Sequence, residues 1–582
     1  MVVEVLGEVL MPRFLSYIVD YGIEGEGAEN VPNIIKSLYN FCYSYFGTNT
    51  GFVLTMMVGM ILTAIIMMIG GLGGAYYGAK ASVNFASDLR ADLYKKIQSF
   101  SFANIDKFST GSLVTRLTND VTQLQNFCNM LLRMFIRSPG MMIGALIMAI
   151  SVSPSLATVL GVSIPVLVLA VTAIILMGFP KFSKMQTKID RLNSTVGENL
   201  TNARVVKSFV REEFEVKKFG EANGDLKAAA GGALRTMILM SPVMTFVMNA
   251  TTISILWFGG IKLTSGEMST GDLMAFVTYV TQILSSLMMV SFLFVMLSRA
   301  MASAKRISEV LDEKVDIDDG GERGSYTVER GDIEFKNVSF RYYKNSDEPV
   351  LDGIDLKINA GETVGIIGST GCGKTTLVSM IARLYDADEG EILVDGVNVR
   401  DYSLYDLREG VGMVLQKNTL FSGSIEDNLR FGDGDATIEE IRMAADSAQA
   451  DGFVMSFKDG YGTDLGQGGS NVSGGQKQRL CIARALLKKP KIIILDDSTS
   501  AVDTATENKI REAFKTGLAG STKIIIAQRI SSVRDADRIV VMNDGKITGI
   551  GTHEELLENN EEYGEIYYSQ MDKNGDVRKE GV

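Results

Sequence analysis

Long apolar runs and a charged, alternating half divide this chain. In the first 300 residues, apolar stretches long enough for a bilayer-spanning helix, which takes about 20 residues, recur at 51–79, 129–152, 155–180, 237–260 and 272–298. A sixth stretch, 1–19, ends at Val19-Asp20 but contains Glu4, Glu8 and Arg13, and the chain reads as beginning inside this first span. The connections 80–128 and 181–236 carry most of the Lys and Arg of this half, which predicts that they are cytoplasmic. The connection 20–50, with Asp20, Glu24, Glu26 and Glu29 against Lys36, is predicted outside. Both basic connections are long, free of proline and helical in period, so they extend the spans into the cytoplasm. A turn at Phe108–Gly111 interrupts the first connection, and a turn at either Asn223-Gly224 or Thr201-Asn202 interrupts the second. Pro139, Pro165 and Pro242 fall inside spans, as kinks or as prolines tolerated in a packed bundle.

After a polar, glycine-rich and acidic stretch near 312–331 the pattern changes. Ile333–Tyr342 alternates as a strand. Short apolar runs at Thr363–Ile367, Val411–Leu415, Ile492–Asp496 and Lys523–Ala527 read as buried strands, with helical stretches after several of them. The predicted architecture is a membrane α-helical domain of six spans, the first truncated, fused to a cytoplasmic α/β nucleotide-binding domain. The boundaries are 1–303 for the membrane domain, 304–330 for the linker, 331–571 for the α/β domain and 572–582 for a polar tail.

Charge and cysteine usage narrow the chemistry. The 582 residues carry 57 basic and 69 acidic side chains, a net charge of −12, which argues against a nucleic-acid partner. The four cysteines, Cys42, Cys128, Cys372 and Cys481, form no CxxC pair, so neither a disulfide framework nor a zinc site is indicated. The N-terminus lacks the basic flank of a cleavable signal.

The chemistry sits in Gly368-Ser369-Thr370-Gly371-Cys372-Gly373-Lys374-Thr375, followed by Thr376. Strand, glycine loop and helix in that order make a polyphosphate cradle of backbone N–H groups and a helix N-terminus. Lys374 can reach the β- and γ-phosphates and Thr375 can hold Mg²⁺. ATP with Mg²⁺ is therefore the expected ligand. Tyr342, roughly 25 residues upstream, can stack on adenine. Gln416 follows a strand and can touch Mg²⁺ or its water. Asp496 ends another strand and suits a Mg²⁺ ligand. Ser473-Gly474-Gly475-Gln476 opens a helix as a second anion cradle.

Together these residues, with Ser500-Ala501-Val502-Asp503, resemble an ATP-binding cassette transporter, and six spans followed by a cassette resemble one half of an ABC exporter of the multidrug or lipid type. The resemblance implies several further things. Two cassettes dimerise head to tail, Ser473–Gln476 closing over the partner's ATP and Ser500 and Asp503 forming the loop between sites. Cytoplasmic turns of the membrane helices serve as coupling helices, and the substrate is an amphipathic small molecule or membrane lipid. The chain departs from the family at two positions. Asp497 stands where the family has a glutamate that polarises the attacking water, and Gln528 where it has a histidine; the one histidine, His553, lies far along. A carboxylate drawn back by one methylene, about 1.5 Å, costs about 100-fold, and a glutamine cannot change protonation state. The expectation is a subunit of a heterodimeric exporter in the cell membrane. Its own ATP site would bind but poorly hydrolyse, its signature completing the competent site of a second half-transporter. The alternatives are a slow homodimeric exporter and an ATP-gated regulatory or channel-like subunit. In the first span, Glu8 lies about 12 residues from the outer end, roughly 18 Å deep. It is a candidate for the substrate cavity, or a paired acid that holds helices together.

Overall fold

The computed structural model describes residues 1–24, 33–46, 49–319, 322, 325–342, 348–497, 504–517 and 520–573. The chain divides into two units, one of Met1–Lys95 with Leu113–Asp312 and one of Lys96–Ser112 with Glu313–Val582.

The first unit is helical. Its elements are α1 (Val2–Tyr17), continued by a π-helical turn to Ile23, α2 (Asn33–Phe46), α3 (Asn49–Gln98) and, after α4 (Phe102–Lys107), which belongs to the second unit, α5 (Thr110–Thr115), α6 (Val121–Met130) and α7 (Ile136–Val152), the last three joined by π-helical turns. Then come α8 (Pro154–Thr201), α9 (Ala203–Ser208), α10 (Glu212–Ile238), α11 (Met240–Thr264) and α12 (Thr270–Leu311). Among the described residues, five helical rods are long and apolar enough to cross a membrane. The apolar face of α1 packs with α7 and α12 around Val5, Val9, Met141, Ala145, Phe276 and Tyr279. Tyr279 donates its hydroxyl hydrogen bond to the Val9 carbonyl at 3.0 Å. Gly144 lets α1 come close: a Cβ there would stand 3.0 Å from a Val9 methyl.

Several local expectations change. The second cytoplasmic connection breaks at Asn202, while Asn223-Gly224 lies inside the continuous α10. Asn and Gly cost a helix only about 1 kcal/mol each at most, and the packing of α10 overrides that. The first connection turns at Ser99–Ser101 and again at Phe108–Ser109, which isolates α4. Pro242 stands in the first turn of α11, three residues after the break at Leu239 that divides this rod. The outer connection contains a helix not named from the sequence, α2, whose Tyr39 and Cys42 are buried with Tyr21, Phe52 and Met56. α12 continues to Leu311, eight residues past the expected end of the membrane domain at 303.

The second unit has two sheets. An antiparallel sheet of order β2-β1-β4-β5 is formed by β1 (Ile333–Phe340), β2 (Leu351–Ile358), β4 (Glu389–Val394) and β5 (Val397–Asn398). The other, of order β10-β9-β3-β8-β7-β6, contains β3 (Thr363–Gly368), β6 (Val411–Val414), β7 (Ile492–Asp496), β8 (Thr522–Ile526), β9 (Arg538–Asn543) and β10 (Lys546–Gly551). Strands β6, β7, β8, β3 and β9 run parallel, with Val364 beside Ile524 and Leu495 beside Ile525. β7 is wholly buried, as a parallel strand covered on both faces must be. Parallel strands in this order bring the segments after β3, β8, β7 and β6 to one edge, where ligands bind in open α/β sheets.

Candidate nucleotide site

The loop after β3 turns into α13 (Lys374–Ile381) through Gly371 (φ 89°) and Gly373 (φ 97°). Only glycine takes these angles freely, and a Cβ on Gly373 would meet the Val350 carbonyl oxygen at 2.8 Å. Lys374 Nζ donates to the carbonyls of Gly368 at 2.9 Å and Ser369 at 2.6 Å. Cys372 is buried, with its Sγ 3.6 Å from the same Nζ.

A cavity of about 380 Å³ opens over this loop. The structure brings Tyr342, Thr370, Gly371, Gly373, Lys374, Thr375, Thr376, Gln416, Asp496, Asp497 and Gln528 to its wall. Val350 and Ile526 line it too, and neither was legible, since an apolar residue at a strand end carries no chemical signal. Thr375 Oγ1 donates to Asp496 Oδ2 at 2.8 Å. Burial, eased by that hydrogen bond, holds the Asp496 carboxyl above its usual range. A hydroxyl and a buried carboxylate beside a phosphate loop form a hard-oxygen donor set that fits Mg²⁺, and with Gln416 they would hold the ion, which neutralises phosphate charge.

Asp497 has φ 48°, a left-handed angle that aspartate tolerates better than most residues. Its N–H donates to the Ile526 carbonyl at 3.0 Å, and Gln478 Nε2 donates to its carbonyl at 3.2 Å. Its side chain stands between two amides: Gln528 Nε2 donates to Oδ2 at 2.9 Å, and Gln416 also hydrogen-bonds it. Burial raises its pKa, while Gln416, Lys374, Arg529 and Gln528 oppose the rise.

Ser473–Gln476 lies outside this cavity. Ser473 caps the helix Gly474–Leu487, its Oγ accepting from Gln476 N while Gln476 Oε1 accepts from Ser473 N at 2.9 Å. Ser500 and Asp503 lie outside the described residues. Tyr342 is 44% exposed, so a face of its ring is open.

Glu8 lies in the other unit, on a separate cavity of about 760 Å³. Arg137 bridges Glu4 Oε1, at 3.0 Å, and Glu8 Oε1. The second carboxylate oxygen of each glutamate is buried without a hydrogen-bond partner. Asn129, Arg133 and Gln282 line the same cavity with five methionines.

Residues 1–287 match the ABC transporter transmembrane region, and residues 351–500 match the ABC transporter family. The chain is 38% identical over 578 residues, 99% of its own length and 96% of the relative's, to the uncharacterized ABC transporter ATP-binding protein YfiB of Bacillus subtilis (strain 168). The chain belongs to the ABC transporter family. This transporter is also 35% identical over 470 residues, 81% of its length and 74% of the relative's, to a protein of Mycobacterium bovis (strain ATCC BAA-935 / AF2122/97) named as a fatty acid ABC transporter ATP-binding/permease protein. Its fold resembles a bacterial Atm1-family ABC exporter solved with ATP bound, with TM-score 0.78, 25% identity, and coverage of 98% of this chain and 96% of that one. The transporter is thus an integral membrane protein of exporter architecture with a cytoplasmic, ATP-binding ATPase domain that drives transport.

Proposed function

We propose that this transporter is one subunit of a heterodimeric exporter, that its own site binds Mg²⁺-ATP but hydrolyses it poorly, and that it moves amphipathic molecules or lipids out of the cytoplasm or inner leaflet. The observation that carries this is the Asp497–Gln528 contact at 2.9 Å. A short carboxylate already engaged by amides is a poor orienter of an attacking water, and its neighbour cannot shuttle a proton. Tyr342, Lys374 and Thr375 surround the same cavity with the groups that ATP binding needs, and Thr375, Asp496 and Gln416 are assigned to Mg²⁺. Ser473–Gln476, Ser500 and Asp503 are assigned to the site shared with the partner.

An amphipathic substrate is supported by a membrane-unit cavity that combines adaptable methionines with ionic groups, and by the relative named for fatty acids. Glu8 is proposed to contact substrate there, and a cation would have to compete with Arg137 for it. Glu8→Gln should therefore reduce efflux of cations more than of neutral compounds. The presence of a carboxylate at Asp497 favours a second reading, a homodimer that hydrolyses slowly.

ATPase assays on the purified complex separate the two readings. Changing the partner's catalytic glutamate to glutamine should nearly abolish hydrolysis, Asp497→Asn should reduce it about twofold or less, and Ser473→Arg should be severe, because it blocks the helix N-terminus that closes the competent site. If Asp497→Asn stops hydrolysis as completely as the partner's change, the sites are equivalent and the asymmetric reading fails.

A further inference from the structure

The open ring of Tyr342 is not a free-standing platform. Its hydroxyl shares a 2.9 Å hydrogen bond with Thr376 Oγ1 on α13. One edge meets Phe340, with centroids 4.9 Å apart, and another meets Tyr385 perpendicularly, at 5.2 Å and 89°. Tyr385 in turn reaches the short helix α4: its hydroxyl donates to Asp106 Oδ2 at 2.8 Å and its ring packs edge-on to Phe102. α4 is pinned to the same unit by Asn104 Nδ2, which donates to the Lys314 carbonyl at 2.9 Å, and by Lys107, which pairs with Glu313 at 2.7 Å. Along the chain α4 stands between two apolar helical rods, Asn49–Gln98 before it and Thr110–Val152 after it. Burial and the Asp106 carboxylate hold the Tyr385 phenol above its ordinary pKa, so it stays a donor through the physiological range.

We propose that Tyr385 is a positioning residue that ties the adenine contact at Tyr342 to the seat of α4, so that the base of the nucleotide, and not its phosphates alone, sets how firmly α4 is held. The proposal rests on the nucleotide reading of the site given above. A base stacked on Tyr342 fixes that ring, the perpendicular contact passes the restraint to Tyr385, and the hydrogen bond to Asp106 delivers it to α4.

Hydrogen–deuterium exchange of peptides covering Phe102–Lys107, in the full-length protein in nanodiscs, tests this without hydrolysis. Saturating ADP should slow exchange of α4 about tenfold, the scale of one hydrogen bond to a charged acceptor. Saturating UDP, whose phosphates fill the same cradle under a smaller ring, should leave it unchanged. Tyr385→Phe keeps the ring and loses the hydroxyl: ADP affinity should stay within about twofold of wild type while protection of α4 disappears. Asp106→Asn, with Tyr385 intact, retains an acceptor and should keep part of that protection. Equal protection by UDP and ADP, or full ADP protection in Tyr385→Phe, overturns the proposal. So does a Tyr385→Phe affinity loss as large as that of Tyr342→Ala, which would make Tyr385 a mere prop for the stacking ring. A failure of the nucleotide reading shows separately, as ADP affinity unchanged in Tyr342→Ala.

Discussion

Gly373 concentrates what the nucleotide site asks of single residues. Its φ of 97° and the Val350 carbonyl 2.8 Å from the place of a Cβ leave no room for any other residue. Gly373→Ala should strain the loop by about 1–3 kcal/mol and weaken ATP binding about tenfold or more, because the displaced backbone N–H groups no longer converge on phosphate. Calorimetry with ADP would measure it, and an affinity equal to wild type would show that the loop relaxes at no cost. The loop was legible in the sequence because its chemistry demands particular residue types at fixed spacing, and the same holds for Gln416 and Asp496 at strand ends. Tyr385 was not legible, since its role comes from a partner, Asp106, 279 positions away. Asp497 was legible as a substitution; its left-handed backbone and its two amide neighbours were not, because these follow from the register of β7 against β8.

Among the elements, four of the five parallel strands, β3, β6, β7 and β8, were read closely because strands buried on both faces leave near-continuous β-branched runs with sharp polar ends, while β9 was missed. Breaks in long helices were read less well. Asn223-Gly224 and Thr201-Asn202 look equally able to stop a helix, and packing decides between them. Pairing at strand starts was invisible. Glu362, just before β3, accepts from Arg538 at the start of β9 and from the Asn359 N–H at 2.8 Å. Burial raises the Glu362 pKa, but these partners outweigh it and the net shift is downward. The folded state therefore prefers the ionised acid. The stabilisation is fully present above the unfolded-state pKa of about 4.3 and is lost as pH falls through the lower folded value. Glu362→Gln should cost about 1–2 kcal/mol at pH 7, and the gap to wild type should close on acidification. A gap that stays constant down to pH 3 in thermal unfolding would show that the contact acts through shape alone.

At the scale of the whole molecule, the division into an apolar helical unit and a charged α/β unit was written in the hydrophobic pattern. The grouping of 96–112, including α4, with the α/β unit was legible in part: the turn at Phe108–Gly111 pointed to a short helix serving the ATPase half, while its bounds were hidden because those residues are helical in period like the rods around them. Nor could the pattern say how the membrane unit carries Glu4 and Glu8. One turn apart on α1, they converge on Arg137 at the start of α7. Two acids share one guanidinium, and each keeps one buried oxygen without a partner. Removing the arginine would leave two largely buried acids without their ion-pair partner, a destabilising change. Arg137→Leu should therefore lower the thermal unfolding temperature of the detergent-solubilised protein markedly. Arg137→Leu combined with Glu4→Gln and Glu8→Gln should recover most of the loss, since the amides need no counter-charge. Arg133→Leu, in the same cavity but with no ion pair among the described residues, should change it little. Equal unfolding temperatures for Arg137→Leu and wild type would show that these two ion pairs add nothing to the stability of the helical unit.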